Sequence, residues 1–407
     1  MISATFSTGI QKNRGSNLKV KESSWTLINW RTPLQIAILR CTLHKGSGQV
    51  IHISELARGL RSLGHNVVVF SREVEIGDLG IPIKELSFQG DHVPFVRNFV
   101  FPFRCLPSFE KFDIVHSQYH PSIFVGNLAK KTLGKPHVFT YHGFAPIGIW
   151  RSPRQQIKML DHRVGTFFAL RFGVDRIVTV SRYLKRQLLD SYKVDEEKIH
   201  VIYNCINTER FNPKVEGDEI RRKYGLSDAP TILYLGRLAP YKGVHFLIRA
   251  IPLILRVIPE AKFLIAGSRR YDMLNLPRMA ESLGVRESVI FTGFVPNRLV
   301  PKFYGCCDIF CYPSLWEGFG LPVAEAGATG KPVVAFRTCA IPEIVENEST
   351  GFLVEPDHTQ LAEAIIAILE DEKMRKKMGQ EARKRISRLF SWRNMVEKTL
   401  KVYEEVL

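Results

Sequence analysis

Residues 308–336, DIFCYPSLWEGFGLPVAEAGATGKPVVAF, combine a strand-like run, a glycine-rich loop, a helical pattern and a second strand-like run. The apolar runs at the two ends are typical of buried strands in parallel sheets, and Pro322 suits the first turn of a helix between them. Two carboxylates, Glu317 and Glu325, flank the segment Gly318-Phe319-Gly320-Leu321. Acids beside a buried strand have no packing role, so the stretch predicts a βαβ unit whose loop binds a ligand.

The same alternation of strand and helix extends along most of the chain. Besides the two runs above, strand-like runs are LQIAILR (34–40), NVVVFS (66–71), DIVHS (113–117), HVFTYHG (137–143), RIVTVS (176–181), TILYLGR (231–237), KFLIAGS (262–268) and SVIFTG (288–293). Amphipathic segments such as residues 50–65 lie between them. Strands alternating with helices predict an α/β protein with doubly wound parallel sheets.

A polar, turn-rich segment over residues 204–219 separates the two series of strands. We therefore expect two Rossmann-like domains facing across a cleft, an N-terminal one over 34–210 and a C-terminal one over 211–389. Residues 1–33 are expected to be a polar, mobile arm. A final helix over about 390–407, with Trp392 to bury, is expected to pack back on the N-terminal domain.

Composition fits a protein that buries a large core. The chain has 407 residues, of which 45% are hydrophobic and 24% charged. It has no uncharged apolar run long enough to span a membrane and no signal-peptide pattern. Its seven cysteines lack zinc-site spacing, which predicts buried free thiols in a reducing cytosol.

The formal net charge of +17 is concentrated in the first half, where residues 1–200 hold 28 Lys+Arg against 15 Asp+Glu. Such an excess attracts nucleic acid, anionic lipid or phosphorylated substrates, although it is equally compatible with an ordinary solvated surface. Residues 93–112 interleave phenylalanines with Arg97 and Arg104. This pattern predicts either a lip for a membrane or lipid acceptor, or core packing.

Basic and acidic residues follow the strands of the second series. Arg237 and Lys242 lie between a strand and a helix, where two cations suit a diphosphate; a basic surface loop is the alternative. Glu325 can accept hydrogen bonds from a ribose diol and Glu317 from the hydroxyls beyond it. Helix capping is the alternative for each carboxylate.

Two further candidates follow strands of the first series. Gly46 and Gly48 form a G-x-G turn that could approach a phosphate or a sugar, although this motif is weak by itself. His142 lies just past a strand and would face the same cleft; a lone histidine is more often structural.

Together these residues resemble the retaining glycosyltransferases of family 4, which have the two-domain GT-B architecture. The resemblance rests on seven segments in family order: LHKGSGQVIHISELARGLRSLGHNVVVFS, TYHGF, VIYNCINTERFNP, LGRLAPYKGV, FTGFVPN, PSLWEGFGLPVAEAGATGKPVV and STGFLVEPDHTQLAEAI. Where the family has Asn-Gly in its hinge strand, this chain has Asn204-Cys205.

The resemblance implies a role for each candidate residue. Arg237 and Lys242 would hold the diphosphate of a sugar nucleotide, Glu325 its ribose, and Glu317 with the Gly318–Leu321 backbone the donor sugar. Backbone at Phe294 and Val295 would hold the base. Gly46 and Gly48 would face the phosphate and reacting sugar, and His142 would contact that sugar.

The expected function is retaining transfer of a hexose from GDP-mannose, UDP-glucose or a similar donor to a hydroxyl of a saccharide or lipid-linked acceptor. No Asp-x-Asp motif is present, so no metal cofactor is expected. The alternatives are a glycoside hydrolase using Glu317 and Glu325 and a non-enzymatic nucleic-acid-binding protein. No recognised nucleic-acid-binding motif supports the latter. The chain is expected to be cytoplasmic, with a possible peripheral site on an anionic membrane.

Overall fold

A computed structural model describes residues 32–44, 47–75, 79–86, 103–150, 152–268 and 275–407. The strands of the first half are β1 (Gln35–Leu39), β2 (Thr42–Leu43), β3 (Asn66–Ser71), β4 (Glu73–Val74), β5 (Ile83–Glu85), β6 (Ile114–Gln118), β7 (His137–Tyr141), β8 (Arg176–Thr179) and β9 (Ile199–Val201). Seven of them form one parallel sheet in the order β5-β3-β1-β6-β7-β8-β9, while β2 and β4 pair separately.

The second half forms another parallel sheet. Its strands are β10 (Thr231–Leu235), β11 (Lys262–Ala266), β12 (Val289–Gly293), β13 (Ile309–Tyr312), β14 (Val333–Phe336) and β15 (Gly351–Val354). Their order is β12-β11-β10-β13-β14-β15. Both sheets belong to one compact unit, Leu34–Leu407.

Helices connect the strands on both faces of each sheet. They are α1 (Gly48–Ser62), α2 (Ser122–Leu133), α3 (Pro153–Ala169), α4 (Arg182–Gln187), α5 (Asp218–Lys223), α6 (Val244–Val257), α7 (Leu276–Ser282), α8 (Val300–Cys306), α9 (Leu321–Ala328), α10 (Ile341–Ile344), α11 (His358–Glu370), α12 (Glu372–Leu389) and α13 (Trp392–Glu404). Residues 103–109 are also helical. Central strands are buried on both faces, as in Ile36 through Leu39. This confirms the predicted α/β fold with two parallel sheets.

Each sheet has one point at which the direction of winding changes. In the first sheet the chain moves outward from β1 to β3 and β5, then returns to β6 on the other side of β1. In the second sheet the corresponding change falls between β10 and β13. Loops that leave such neighbouring strands at their carboxyl ends diverge and open a crevice, where ligands bind in open α/β sheets.

The last helix returns to the first sheet. Val396 of α13 packs against Gly59 of α1, and the Tyr403 hydroxyl lies 2.7 Å from Nδ1 of His116. The expectation that Trp392 would be buried is wrong, since 40% of this residue is exposed. It is the first residue of α13, before the face that begins at Met395 turns toward the core.

Several expectations concern residues outside those described. They include the mobile arm, of which residues 1–31 are not described, and Phe95, Phe99 and Phe101 of the aromatic segment. The domain boundaries at 210 and 389 also stay predictions. In the described part of that aromatic segment, Phe109 and Phe112 are buried in the core beside Phe70, whereas Phe103 is exposed. No helix in the described part of the chain is long and apolar enough to cross a membrane.

Candidate active site

A buried lysine and a buried glutamate form an ion pair at the winding change of the second sheet. Lys242 is the last residue of a short turn after β10, and 6% of it is exposed. Glu317 lies in the loop after β13, and 7% of it is exposed. Nζ of Lys242 pairs with Oε1 of Glu317. The Tyr312 hydroxyl lies 3.0 Å from that Nζ and 2.8 Å from that Oε1. The Lys242 amine, the Glu317 carboxylate and the Tyr312 hydroxyl therefore meet at one buried position between the ends of β10 and β13.

Close backbone packing holds the two loops together. Gly243 has φ of 67°, and a Cβ there would lie 1.8 Å from the carbonyl oxygen of Pro313. Only glycine combines this left-handed conformation with such a close approach. The Leu315 amide also donates to the Tyr241 carbonyl at 2.8 Å. The Lys-Gly dipeptide in the sequence is therefore needed to bring Lys242 beside Glu317.

Arg237 occupies a more exposed position in the loop after β10. Its Nη2 donates to the Tyr241 hydroxyl at 2.9 Å, and the Tyr234 hydroxyl donates to its carbonyl oxygen at 2.9 Å. An exposed guanidinium offers a planar set of N–H donors that suits a phosphate. Arg237 and Lys242 therefore provide one exposed and one buried cation on the same loop.

Glu325 is the fifth residue of α9 and is buried. Its Oε2 accepts a hydrogen bond of 2.9 Å from the Tyr304 hydroxyl, so the carboxylate does not cap the helix. Burial raises the pKa of Glu325 to about 7, although the Tyr304 hydrogen bond and the charge of Arg210 act in the opposite direction. Only the ionised form of this carboxyl accepts hydrogen bonds with both oxygens, so its ability to bind ligand hydroxyls depends on pH near neutrality.

As pH rises, we expect ionisation of Glu325 to increase the affinity for the nucleotide and to decrease the stability of the folded protein. Its pKa is about 7 in the folded chain and 4.5 as the ordinary value. The folded state therefore holds this proton more tightly, and the free energy of unfolding falls by about 3 kcal/mol as pH rises from 4.5 to 7. Nucleotide affinity should rise over pH 6 to 8, because the ionised carboxylate is the better acceptor.

Glu325→Gln provides the control. Because glutamine does not ionise, neither its nucleotide affinity nor its stability should show the pH dependence that Glu325 causes. Affinity for UDP or GDP and the melting temperature should be measured for both proteins from pH 5.5 to 8.5. The nucleotide's own phosphate ionisation is common to both proteins and cancels in the comparison. Parallel pH profiles for the two proteins would contradict the role of Glu325.

His142 lies opposite these groups, just after β7 of the first sheet. A Cβ on Gly318 would lie 2.6 Å from the His142 carbonyl oxygen, and the Ser181 hydroxyl donates to the Gly318 carbonyl at 2.7 Å. Nε2 of His142 lies 2.8 Å from Oε1 of Gln118, which fixes Nε2 as the protonated nitrogen. Burial, aided by His52 and Arg40, lowers the pKa of His142 well below its usual value. The ring is therefore neutral.

The remaining candidates lie in different parts of the structure. Gly48, at the start of α1, lies against Leu321, with 3.0 Å between its virtual Cβ and Cδ1. The Phe319 side chain instead enters the core, where its ring lies 5.4 Å from that of Phe390. Only its backbone can contact a ligand. Phe294, which is exposed, and Val295 follow the edge strand β12, which β11 separates from β10. Gly46 lies outside the described residues.

Sequence reasoning missed the tyrosines that complete the site. Tyr312 ends a strand-like run and Tyr304 lies in α8, so both patterns predict ordinary core residues. The hinge dipeptide that departs from the family pattern is also buried. There the side-chain oxygen of Asn204 lies 2.8 Å from Nδ1 of His52, while Cys205 packs in the interior.

Comparison with known proteins agrees with this fold. The model of the Glycosyltransferase Family 4 domain matches residues 46–210, and that of Glycosyl transferases group 1 matches residues 216–385. An uncharacterized glycosyltransferase of Methanocaldococcus jannaschii is 30% identical over 404 residues, covering 93% of this chain and 97% of that protein.

One further protein is similar in sequence, and one solved structure is similar in fold. The GDP-mannose-dependent alpha-(1-6)-phosphatidylinositol monomannoside mannosyltransferase of Mycolicibacterium smegmatis is 31% identical over 282 residues, covering 67% of this chain and 71% of its own. The crystal structure of Anabaena HepE in complex with UDP and glucose superposes with a TM-score of 0.77 at 20% identity, covering 91% of this chain and 100% of that one. The chain belongs to glycosyltransferase family 4 and has the GT-B architecture. It is a glycosyltransferase that acts on nucleotide sugars.

Proposed function

We propose that the protein transfers a hexose, with retention of anomeric configuration, from a nucleoside diphosphate sugar to a hydroxyl of a saccharide or lipid-linked acceptor. The observation that carries this proposal is the cluster of Lys242, Glu317 and Tyr312 at the winding change of the second sheet, with His142 opposite. It combines a cation for a diphosphate with a carboxylate for sugar hydroxyls. UDP-glucose and GDP-mannose are the first donors to test, in view of the ligands named for the Anabaena and Mycolicibacterium proteins.

The reaction forms a bond between the acceptor oxygen and the anomeric carbon, while the bond from that carbon to the β-phosphate oxygen breaks. The acceptor's proton passes to the departing phosphate oxygen on the same face of the sugar. Negative charge grows on the diphosphate, where Arg237 and Lys242 stabilise it without a metal ion. A neutral His142 adds no positive charge beside the oxocarbenium-like sugar.

A thermal-shift screen against UDP, GDP, ADP and their sugars tests the donor assignment. A ligand that binds only the folded protein stabilises it by about 2.7 kcal/mol at a hundredfold excess over its Kd. We expect one base to be favoured and the sugar nucleotide to be turned over with an acceptor. NMR of the product should show the anomeric configuration of the donor; inversion would contradict the proposed stereochemistry.

The two alternatives have less support. A glycosidase needs carboxyl groups on opposite sides of the scissile bond, whereas Glu317 is ion-paired with Lys242 and Glu325 is bonded to Tyr304. Release of sugar from simple glycosides without a nucleotide would revive that alternative. A nucleic-acid-binding role rests on net charge alone, and a mobility shift that survives physiological salt would be needed to support it.

Peripheral association with an anionic membrane forms part of the proposal, together with the cytoplasmic location expected from the free cysteines. The support for membrane association does not come from residues 93–112, because Phe109 and Phe112 of that segment are core residues. On α3, four large apolar residues of one helical face are exposed: Ile157 (68%), Leu160 (51%), Val164 (46%) and Phe168 (54%). The cations of Arg154, Lys158 and Arg171 lie on or next to this helix. An apolar stripe beside basic groups suits an anionic bilayer surface.

We expect the wild type to pellet with vesicles containing phosphatidylserine at low salt. The triple variant Ile157→Gln, Leu160→Gln, Val164→Gln should reduce the bound fraction at least tenfold, because its apolar face no longer enters the interface. Val257→Gln, at an exposed apolar position on α6, is the matched control and should still pellet. Failure of the wild type to pellet would remove the membrane association. Equal binding by the triple variant would remove the role of α3.

A further inference from the structure

A carboxylate of the second half binds the start of a helix in the first half. Glu343 lies on α10 and is half-buried. Its Oε2 accepts a hydrogen bond of 2.9 Å from the backbone N–H of Arg182, and its Oε1 accepts one of 2.8 Å from that of Tyr183. Arg182 and Tyr183 are the first two residues of α4, which follows β8. One side chain therefore joins two segments that lie 160 positions apart in the chain.

The start of α4 needs such a partner. The first N–H groups of an α-helix have no carbonyl partner within the helix, and they carry partial positive charge. The Ser181 hydroxyl oxygen accepts from one of them, the Leu184 amide, at 3.2 Å. No acidic residue occurs in the first turn of α4, so the sequence of this helix supplies no carboxylate for the two preceding N–H groups. Glu343 supplies it from the other half.

The backbone of Glu343 is anchored in the second half. Arg385 of α12 donates to the carbonyl oxygens of Glu343, at 3.1 Å, and of Ile344, at 2.8 Å. The Tyr203 hydroxyl, which follows β9, donates to Oε2 of Glu343 at 2.9 Å. The carboxylate thus accepts three hydrogen bonds from residues that precede the second sheet. Hydrogen bonds to a charged acceptor are roughly twice as strong as those between neutral groups.

The same helix start also contacts the candidate active site. Ser181, directly before α4, donates its hydroxyl to the Gly318 carbonyl at 2.7 Å. Gly318 follows Glu317, and a Cβ on Gly318 would lie 2.6 Å from the His142 carbonyl oxygen. Residues after β8 are therefore bonded both to Glu343 and to the loop of Glu317. The distance from that loop to His142 depends on how the start of α4 is held against the second half.

We propose that Glu343 is a positioning residue for sugar transfer, which acts through α4 to hold the two halves of the site at the distance that the reaction needs. This role rests on the proposed function. The groups assigned to the nucleotide, Arg237, Lys242 and Glu325, all lie in the second half, whereas His142 lies in the first. Loss of the Glu343 contact should therefore leave nucleotide binding intact and displace the transferring sugar from the groups of the first half.

Replacing Glu343 by alanine removes all three hydrogen bonds. We expect kcat at saturating donor and acceptor to fall by about 100-fold, the usual effect of displacing reacting groups by about 1 Å. The Kd for UDP or GDP should be unchanged. Glu343→Gln keeps one oxygen that can accept from α4, while its NH₂ group faces the other N–H donor. It should therefore recover part of kcat, and full loss of nucleotide binding in either variant would contradict the proposal.

Asp357→Ala is the matched control. Asp357 also accepts from two backbone N–H groups at a helix start, those of Thr359 at 2.8 Å and Gln360 at 2.9 Å, but this helix is α11 of its own half. Both alanine variants should lower the melting temperature, because each leaves the start of a helix without its acceptor. Only Glu343→Ala should lower kcat. An unchanged kcat in Glu343→Ala, or an equal loss in Asp357→Ala, would overturn the positioning role.

Amide hydrogen exchange gives a readout that does not depend on activity. The N–H groups of Arg182 and Tyr183 should exchange faster in Glu343→Ala than in the wild type, and at the wild-type rate in Asp357→Ala. Unchanged exchange in Glu343→Ala would show that the contact does not join the two halves in solution. Absence of transfer by the wild type with every donor would instead refute the proposed function, and the exchange rates would still decide whether Glu343 binds α4.

Discussion

Replacing Lys242 by alanine is expected to lower kcat for hexose transfer by about 100- to 1000-fold, the usual effect of removing one fixed group that stabilises a developing charge. The diphosphate leaves with growing negative charge, and Lys242 is the buried cation of its loop. Single-turnover measurements at saturating donor separate this effect from product release. Lys242→Arg should recover little activity, because a planar fork does not replace a point charge between Glu317 and Tyr312.

Lys302→Ala is the matched control for this substitution. Lys302 also pairs with a glutamate in the second half, Glu219, but both side chains are largely exposed. Such surface pairs contribute about 0–1 kcal/mol, so transfer and stability should both be nearly unchanged. Near-wild-type turnover by Lys242→Ala would remove Lys242 from the mechanism.

Replacing Glu317 by alanine is expected to abolish measurable transfer and also to lower the free energy of unfolding by about 3–5 kcal/mol. The stability loss arises because Lys242 remains buried without its counter-charge. The buried pair shows why stability must be measured alongside activity.

Glu317→Gln separates the two effects. It keeps the shape of the side chain and an oxygen that can accept from Lys242 and from the Tyr312 hydroxyl, so the stability loss should be smaller than for Glu317→Ala, although Lys242 still lacks a counter-charge. Transfer should still be strongly impaired, because the donor sugar's hydroxyls lose a charged acceptor. Chemical denaturation and kcat/KM for each variant provide the comparison. Full activity in Glu317→Gln would show that the charge of Glu317 has no part in transfer.

Local sequence patterns determined where the strands and the ligand loops lie. The run NVVVFS coincides with β3, and LQIAILR exceeds β1 by one residue at each end. Glu317 and Lys242 were identified because each follows a strand, and the carboxyl ends of parallel strands share one edge of the sheet. Glycines and prolines indicated where loops and helices begin, because their effect depends only on the local backbone conformation.

Contacts between distant segments could not be predicted in the same way. Hydrophobic periodicity reports that a side chain is buried but not which partner it meets, since the partner depends on strand order. Tyr312 and Tyr304 therefore looked like ordinary core residues, although their hydroxyls bond to Glu317 and Glu325. The same limit explains why Trp392 was wrongly expected to be buried.

The sequence by itself determined the two series of strands, the loops that carry the charged residues and the resemblance to family 4, because each depends on residues close together in the chain. Only the tertiary structure decided that Lys242 and Glu317, 75 positions apart, neutralise each other. It also decided that Arg40 is buried against the Tyr119 ring. Both facts follow from which strands are neighbours, and the burial that results determines how strongly each charge requires a partner.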